Sequence, residues 1–423
     1  MRTKLIIFGI SGDLSRRKLL PALRKIYESE TSDFEIIGIS RKEIDPKDLL
    51  DGQLLDRTSI YKMNLAESGD YKNLKSSLKL KKNDQAVIYL SVPPSAATQI
   101  TDYLGEAGLN SPNVKILFEK PFGVDFESAK EMVKRTGSYF DDSQIYRIDH
   151  YLAKEMAQNI VAFRSGNALL AHVWDSRAIE SIDIYASETV GIEGRAIFYE
   201  QVGALRDFVQ GHLMQLLSLV LMDIPPQLDW DKLPAQRLTA LKSLEPVDVE
   251  KAMRAQYIGY AEDVNNMGSQ TETFVSLKLK STMPAWYDVP ITLTTGKALD
   301  QKRTEIKINF KSFRGQPSNC LKFKIQPDEG VEIELFTKKP GYSRELERRK
   351  LEFRYPEDTE LPDAYEQVIV DAINSHKSLF TSSEEILESW RVLQPLLDHW
   401  SLDNTPLKRY IRGSNISEIL MLE

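Results

Sequence analysis

Through about residue 145 the chain alternates between short apolar runs and stretches of helical periodicity, and few folds accommodate that alternation. The runs at 4–8, 34–39, 86–90 and 114–118 are too short for helices and are bounded by turn formers, so they read as buried strands. Between them, 15–27 carries Leu19, Leu20, Leu23 and Ile26 at helical spacing, and 96–104 and 127–133 also read as helices. Strand, helix, strand in repetition predicts a parallel, doubly wound sheet.

Ligands of such sheets bind beyond the carboxyl ends of the strands. The first strand runs into Gly9-Ile10-Ser11-Gly12-Asp13-Leu14 and then a helix, the opening of a dinucleotide-binding unit. Backbone N–H groups there must approach a pyrophosphate closely, which a Cβ would obstruct. The motif departs from G-x-G-x-x-G, with Ser11 at the middle glycine and Leu14 at the third, and a plain strand-to-helix turn is the competing reading. The second strand ends in Ser40-Arg41-Lys42, where an NAD enzyme places a carboxylate on the ribose, so Arg41 points to the 2′-phosphate of NADP, with NAD the weaker alternative. Pro93 and Lys120 fall at the same edge, after the third and fourth strands.

After residue 150 the pattern changes. Strand-like runs at 181–185, 272–279, 304–310, 321–325 and 330–335 predict a large, mostly antiparallel sheet in an α+β domain. Helices are expected at 151–162, 205–221, 365–373 and 382–399, and the acidic 357–363 reads as a surface loop. A chain of 423 residues exceeds one hydrophobic core, and the change of pattern suggests domains at 1–147 and 148–423. Where the two meet, Arg147-Ile148-Asp149-His150-Tyr151-Leu152-Ala153-Lys154 concentrates charge. On a helix starting there, His150 and Lys154 would lie one turn apart and suit a phosphate; a solvated turn is the alternative.

Composition narrows the function classes. A net charge of −7 gives no general reason to bind nucleic acid, so an anionic substrate needs cations gathered locally. No apolar run approaches the roughly 18 residues of a membrane span, and MRTKLIIFGI reads as a first strand, not a secretion signal. The single Cys320 rules out an internal disulfide framework and favours a reducing, cytoplasmic setting. With five histidines and one cysteine no metal site is expected.

The set GISGDLSRRKLLPAL, EKPFG, RIDHYLAKE, EGR, GALRDFVQGHLMQ, GKALDQK and LPDAYE resembles glucose-6-phosphate dehydrogenase, with its motifs in order. The resemblance implies a Rossmann domain followed by an α+β domain that forms a homodimer or a dimer of dimers. It also implies hydride transfer from C1 of glucose 6-phosphate to NADP, with His212 as general base and Asp149 as the carboxylate orienting it. His150, Tyr151 and Lys154 match phosphate-binding residues, and Lys302 resembles the basic residue completing that pocket. Lys297, Glu188, Asp207 and Gln326 resemble sugar contacts, and Lys120 matches the lysine between cofactor and sugar. The sequence departs from the family's pattern at Gly211, beside the base, where Asn is usual, and at Ala153, Ser165, Ala196 and Ile197. These changes leave open a different aldose 6-phosphate as substrate. A non-catalytic NADP-binding homologue is the reading from another class.

Overall fold

The computed structural model describes residues 2–29, 33–356, 358–403 and 405–422. They divide into two units. The first runs to Ala153 and takes back Trp230–Pro234 and Pro362–Leu387; the second comprises Lys154–Asp229, Ala235–Leu361 and the chain from Glu388.

The first unit is built on a seven-stranded sheet. Its strands are β1 (Thr3–Phe8), β2 (Phe34–Ser40), β3 (Thr58–Lys62), β4 (Gln85–Leu90), β5 (Val114–Phe118) and β6 (Ile145–Ile148), with β15 (Phe380–Thr381) joining from far along the chain. The order is β15-β6-β5-β4-β1-β2-β3, parallel except at β15. Strand order reverses between β1 and β4, the switch point where doubly wound sheets bind ligands. Every residue of β4 and β5 is buried, as expected for strands covered on both faces. A fully buried Ile or Leu of this kind contributes about 1.5–3 kcal/mol.

Helix Ala364–Asn374 belongs to this core through Val368, Ile369 and Ala372. Two lysines, Lys115 buried and Lys377 half-buried, tie its end to the sheet. Lys115 Nζ donates to the carbonyls of Ala372 and Ile373, and burial lowers its pKa to about 8. Lys377 Nζ donates to the Asp142 and Ile145 carbonyls and lies 3.5 Å from the Tyr146 ring centroid; burial lowers its pKa to about 7.

The second unit carries a nine-stranded sheet. Its strands are β7 (Ile179–Ser187), β8 (Met253–Tyr257), β9 (Phe274–Leu279), β10 (Ile291–Gly296), β11 (Arg303–Phe310), β12 (Cys320–Gln326), β13 (Gly330–Lys338), β14 (Leu346–Arg354) and β16 (Lys408–Tyr410). The order is β14-β13-β12-β11-β7-β10-β9-β8-β16, antiparallel except at β7–β10 and β8–β16. Strands β8, β10, β14 and β16, like β3, β6 and β15 in the first sheet, were not among the runs the sequence singled out. Most are short, and β14 is largely exposed and charged, so neither length nor alternation marks them. Residues 358–363 carry no regular structure, as expected for a loop, while Glu357 lies outside the described residues. Among the described residues no helix is long and apolar enough to cross a membrane.

Candidate active site

Parallel register places the expected cofactor residues on one edge of the first sheet. Phe8 sits beside Ile39 and Leu90, and Leu90 beside Phe118, so Gly9, Arg41, Pro93 and Lys120 all follow strand ends on that edge, with Ser40 the last residue of β2. Phe118 pairs with Arg147, which brings Asp149 and His150 to the same edge.

The turn after β1 is tight. Gly9 has φ +78°, and a Cβ there would come 2.2 Å from the Ser91 carbonyl oxygen beyond β4. The Gly9 carbonyl accepts from Gly12 N–H (2.9 Å) and from Ser15 Oγ (2.9 Å), which is also 3.1 Å from Ser91 Oγ. Glycine is therefore required at this position, in a backbone-to-backbone contact at the switch point. Ser11 and Asp13 are exposed, Asp13 lies 3.3 Å from Arg17, and Leu14 precedes the first helical turn. Arg41 and Lys42 are exposed, and the Lys42 N–H donates to Ser40 Oγ at 3.1 Å. Two cations at this strand end fit a nucleotide bearing a 2′-phosphate.

The expected helix over 151–162 begins later. Residues 150–153 form turns, and the helix spans Glu155–Gly166 with Lys154 at its N-cap, so His150 and Lys154 do not share a helix face. The cause is local. Asp149 Oδ1 accepts the Tyr151 N–H at 2.9 Å and its carbonyl accepts the Leu152 N–H, a side-chain turn that competes with helix. Asp149 is buried, as is Tyr151. His150 Nε2 lies 3.2 Å from Glu119 Oε2, and its ring is 4.2 Å from that of Tyr365. Glu119 also accepts the Tyr89 hydroxyl. Sequence reasoning missed Glu119 and Tyr365 as neighbours of the expected phosphate site, although both lie inside quoted motifs, EKPFG and LPDAYE.

In the second unit, β7 and β10 run parallel with Ser187 opposite Gly296. The next residues, Glu188 and Lys297, therefore leave adjacent strand ends together and form an ion pair. Lys297 is buried, and its ammonium lies 5.2 Å from the Tyr199 ring centroid. Antiparallel β9 places Phe274 opposite Gly296, which sets Glu272 beside the same edge. Glu272 Oε1 accepts the Leu205 N–H at 2.9 Å, capping the segment that carries Asp207 and His212. Burial raises the Glu272 pKa. The chain breaks from helical geometry just before, at Gly203 (φ +66°), where a Cβ would meet Glu272 Oε1 at 2.4 Å.

The expected helix 205–221 is thus two elements. Leu205–Leu213 is π-helical and only Met214–Leu221 is α-helical. Wide turns of this kind recur at functional sites, and no sequence period announces them. Asp207 lies 3.9 Å from Arg195, and the His212 ring is 5.1 Å from that of Phe208. Gln326 ends β12 and donates to Thr304 Oγ1 at 3.2 Å, while Lys302 is exposed in the connection before β11. The structure thus brings Glu188, Lys297 and Tyr199 together, with Asp207 close enough to perturb the Tyr199 phenol.

Comparison with known proteins agrees with this architecture. The family model "Glucose-6-phosphate dehydrogenase, NAD binding domain" matches residues 6–53 and 50–159, and that family's C-terminal domain model matches 161–419. The glucose-6-phosphate 1-dehydrogenase of Dickeya dadantii is 33% identical, covering 97% of this chain and 94% of the relative. That of Borreliella burgdorferi is 35% identical over the same shares. A solved glucose-6-phosphate dehydrogenase in complex with glucose 6-phosphate superposes with a TM-score of 0.92 at 29% identity, covering 99% of this chain and 96% of that one. The enzyme from Mycobacterium avium gives 0.86 at 31% identity, covering 97% and 94%.

Proposed function

The chain belongs to the glucose-6-phosphate dehydrogenase family, and we propose from that premise that it oxidises D-glucose 6-phosphate at C1 with NADP, yielding 6-phosphoglucono-1,5-lactone. The observation that carries the reading is the match over 97% of the chain, with His212, Asp149, Lys154 and Lys297 present at their motif positions.

NADP, when bound, supplies the hydride acceptor; Gly9 to Leu14, Ser40, Arg41, Pro93 and Lys120 are the residues that would hold it. Removing a hydride from a hemiacetal carbon requires the hydroxyl proton to leave with it. His212 accepts that proton in this reading, and Asp149 stabilises the imidazolium that results. His150, Tyr151, Lys154 and Lys302 take the phosphate. Glu188, Asp207, Lys297 and Gln326 take the sugar hydroxyls, and Lys120 lies between sugar and nucleotide. The Glu188–Lys297 pair supports the sugar assignment, because a carboxylate and an ammonium held side by side offer both an acceptor and a donor to one hydroxylated ring. The first unit is then the nucleotide domain, and the second binds sugar and mediates a homodimer or a dimer of dimers, which sedimentation velocity tests.

The deciding experiment follows absorbance of reduced nicotinamide with glucose 6-phosphate and other aldose 6-phosphates, using NADP and NAD in turn. Glucose 6-phosphate with NADP gives the highest kcat/KM. A higher value on another sugar overturns the substrate, and no reduction with any sugar phosphate overturns the activity.

A further inference from the structure

A cavity of about 400 Å³ lies within the second unit, and none of the residues given a role above lines it. Leu170, Trp174, Ile224, Pro225, Pro226 and Leu228 form its walls, and Arg164 is the one ionisable side chain among the described residues that line it. Arg164 is held in place at this cavity. Its Nη1 donates to the Leu219 carbonyl at 2.6 Å and its Nη2 to the Met222 carbonyl at 2.7 Å, and the guanidinium lies 5.0 Å from the Trp174 ring centroid. Trp174 Nε1 in turn donates to the Val220 carbonyl at 2.9 Å. The two side chains together cap carbonyls at the end of the helix Met214–Leu221, which fixes both before any ligand arrives.

What this guanidinium lacks is a full counter-charge. Among the described residues no carboxylate forms an ion pair with it, and a helix C-terminus supplies only about half an elementary charge. Burial lowers its pKa to about 9, with Asp223 opposing the shift. Only two of its five N–H groups have hydrogen-bond partners among the described residues. An under-compensated charge in apolar surroundings is costly, and an anion entering the cavity relieves that cost. The walls decide which anion. No second cation lines the cavity, so a phosphate dianion finds too little charge, whereas a carboxylate carries one charge and matches the guanidinium fork. The apolar walls favour a hydrocarbon body behind it. The volume holds roughly a dozen non-hydrogen atoms at about 30 Å³ each.

We propose that this cavity binds a small carboxylate with an apolar body of about six to ten carbons, its head group paired with Arg164 and its chain against Trp174, Pro225 and Leu228. Ser165, exposed and also lining the cavity, is the position at which a larger side chain would close it.

Isothermal titration calorimetry of the full chain with straight-chain carboxylates from butanoate to decanoate tests this, with octanol and octylammonium as neutral and cationic counterparts. The Kd should fall about fourfold per added methylene and level off once the cavity is filled, near octanoate. Octanol should bind at least about 10-fold more weakly than octanoate, the worth of one charge-assisted hydrogen bond, and octylammonium more weakly still. Arg164→Met should bring octanoate and octanol to the same Kd. Should that variant fail to fold, Ser165→Phe decides the matter: it should unfold within about 2 °C of the wild type, as an exposed substitution does, and bind octanoate at least about 10-fold more weakly. Equal binding of octanoate and octanol by the wild type, no octanoate binding up to about 10 mM, or an octanoate Kd untouched by Ser165→Phe overturns the proposal. So does competition by glucose 6-phosphate, which would place the carboxylate at the sugar phosphate site instead.

Discussion

Gly203→Ala tests whether the segment bearing His212, the proposed general base, is set by one backbone break. Gly203 has φ +66° and ψ 178°, a region essentially reserved for glycine, so alanine there costs about 1–3 kcal/mol in backbone strain. The new methyl would also lie 2.4 Å from Glu272 Oε1, with Glu272 Cδ at 2.7 Å. The carboxylate must move, and the charge-assisted bond it accepts from Leu205 N–H is lost, at about 1.5–3 kcal/mol. The sum is about 2.5–6 kcal/mol, or roughly 5–24 °C in the unfolding midpoint of a unit this size. Thermal unfolding followed by circular dichroism measures it, and kcat should fall with it because Asp207 and His212 ride on the displaced segment. Removing the carboxylate makes room for the methyl. Gly203→Ala combined with Glu272→Ala should therefore cost at least about 1 kcal/mol less than the two single changes added together. Strict additivity, or a Gly203→Ala midpoint within about 2 °C of the wild type, would refute the argument that these two residues define the start of the segment.

Three further outcomes are expected. His212→Asn should lower kcat by roughly 10²–10⁴-fold, the range for loss of a general base, with the KM for sugar phosphate little changed; steady-state kinetics showing an unaltered kcat would remove His212 from that role. Arg41→Ala should raise the KM for NADP far more than that for NAD, and equal effects on both nucleotides would argue against a 2′-phosphate contact. Lys377 should make stability rise with pH. Burial holds its folded pKa near 7, below the roughly 10.4 of a free lysine, so between those values the unfolded chain binds a proton the folded chain lacks. The unfolding midpoint should therefore increase more between pH 6 and pH 9 in the wild type than in Lys377→Met, and parallel pH profiles would sink that account.

Much of the fold was legible because it depends on local chemistry. Apolar runs followed by turns and amphipathic stretches announce parallel strands, and parallel strands bring Gly9, Arg41, Pro93 and Lys120 to one edge whatever lies between them. Gly9 itself was readable, since a strand-to-helix turn needs a residue that tolerates positive φ. The helix start near residue 150 was misread because the Asp149 side chain captures backbone N–H groups that a helix would use, an effect that periodicity does not register. Short or exposed strands such as β15 and β14 carry too little pattern to be seen.

Sequence order alone dictates which elements form, where the nucleotide edge lies, and which motif residues are available for chemistry, because each follows from side-chain periodicity and turn preference within a few residues. It cannot dictate that Glu188 meets Lys297, or that Glu272 caps the helix of His212. Those meetings depend on strand register between segments separated by 109 residues in one case and 67 in the other. Register is settled by how whole strands bury their faces against one another, a collective property of the packed sheet that no local window of the chain contains.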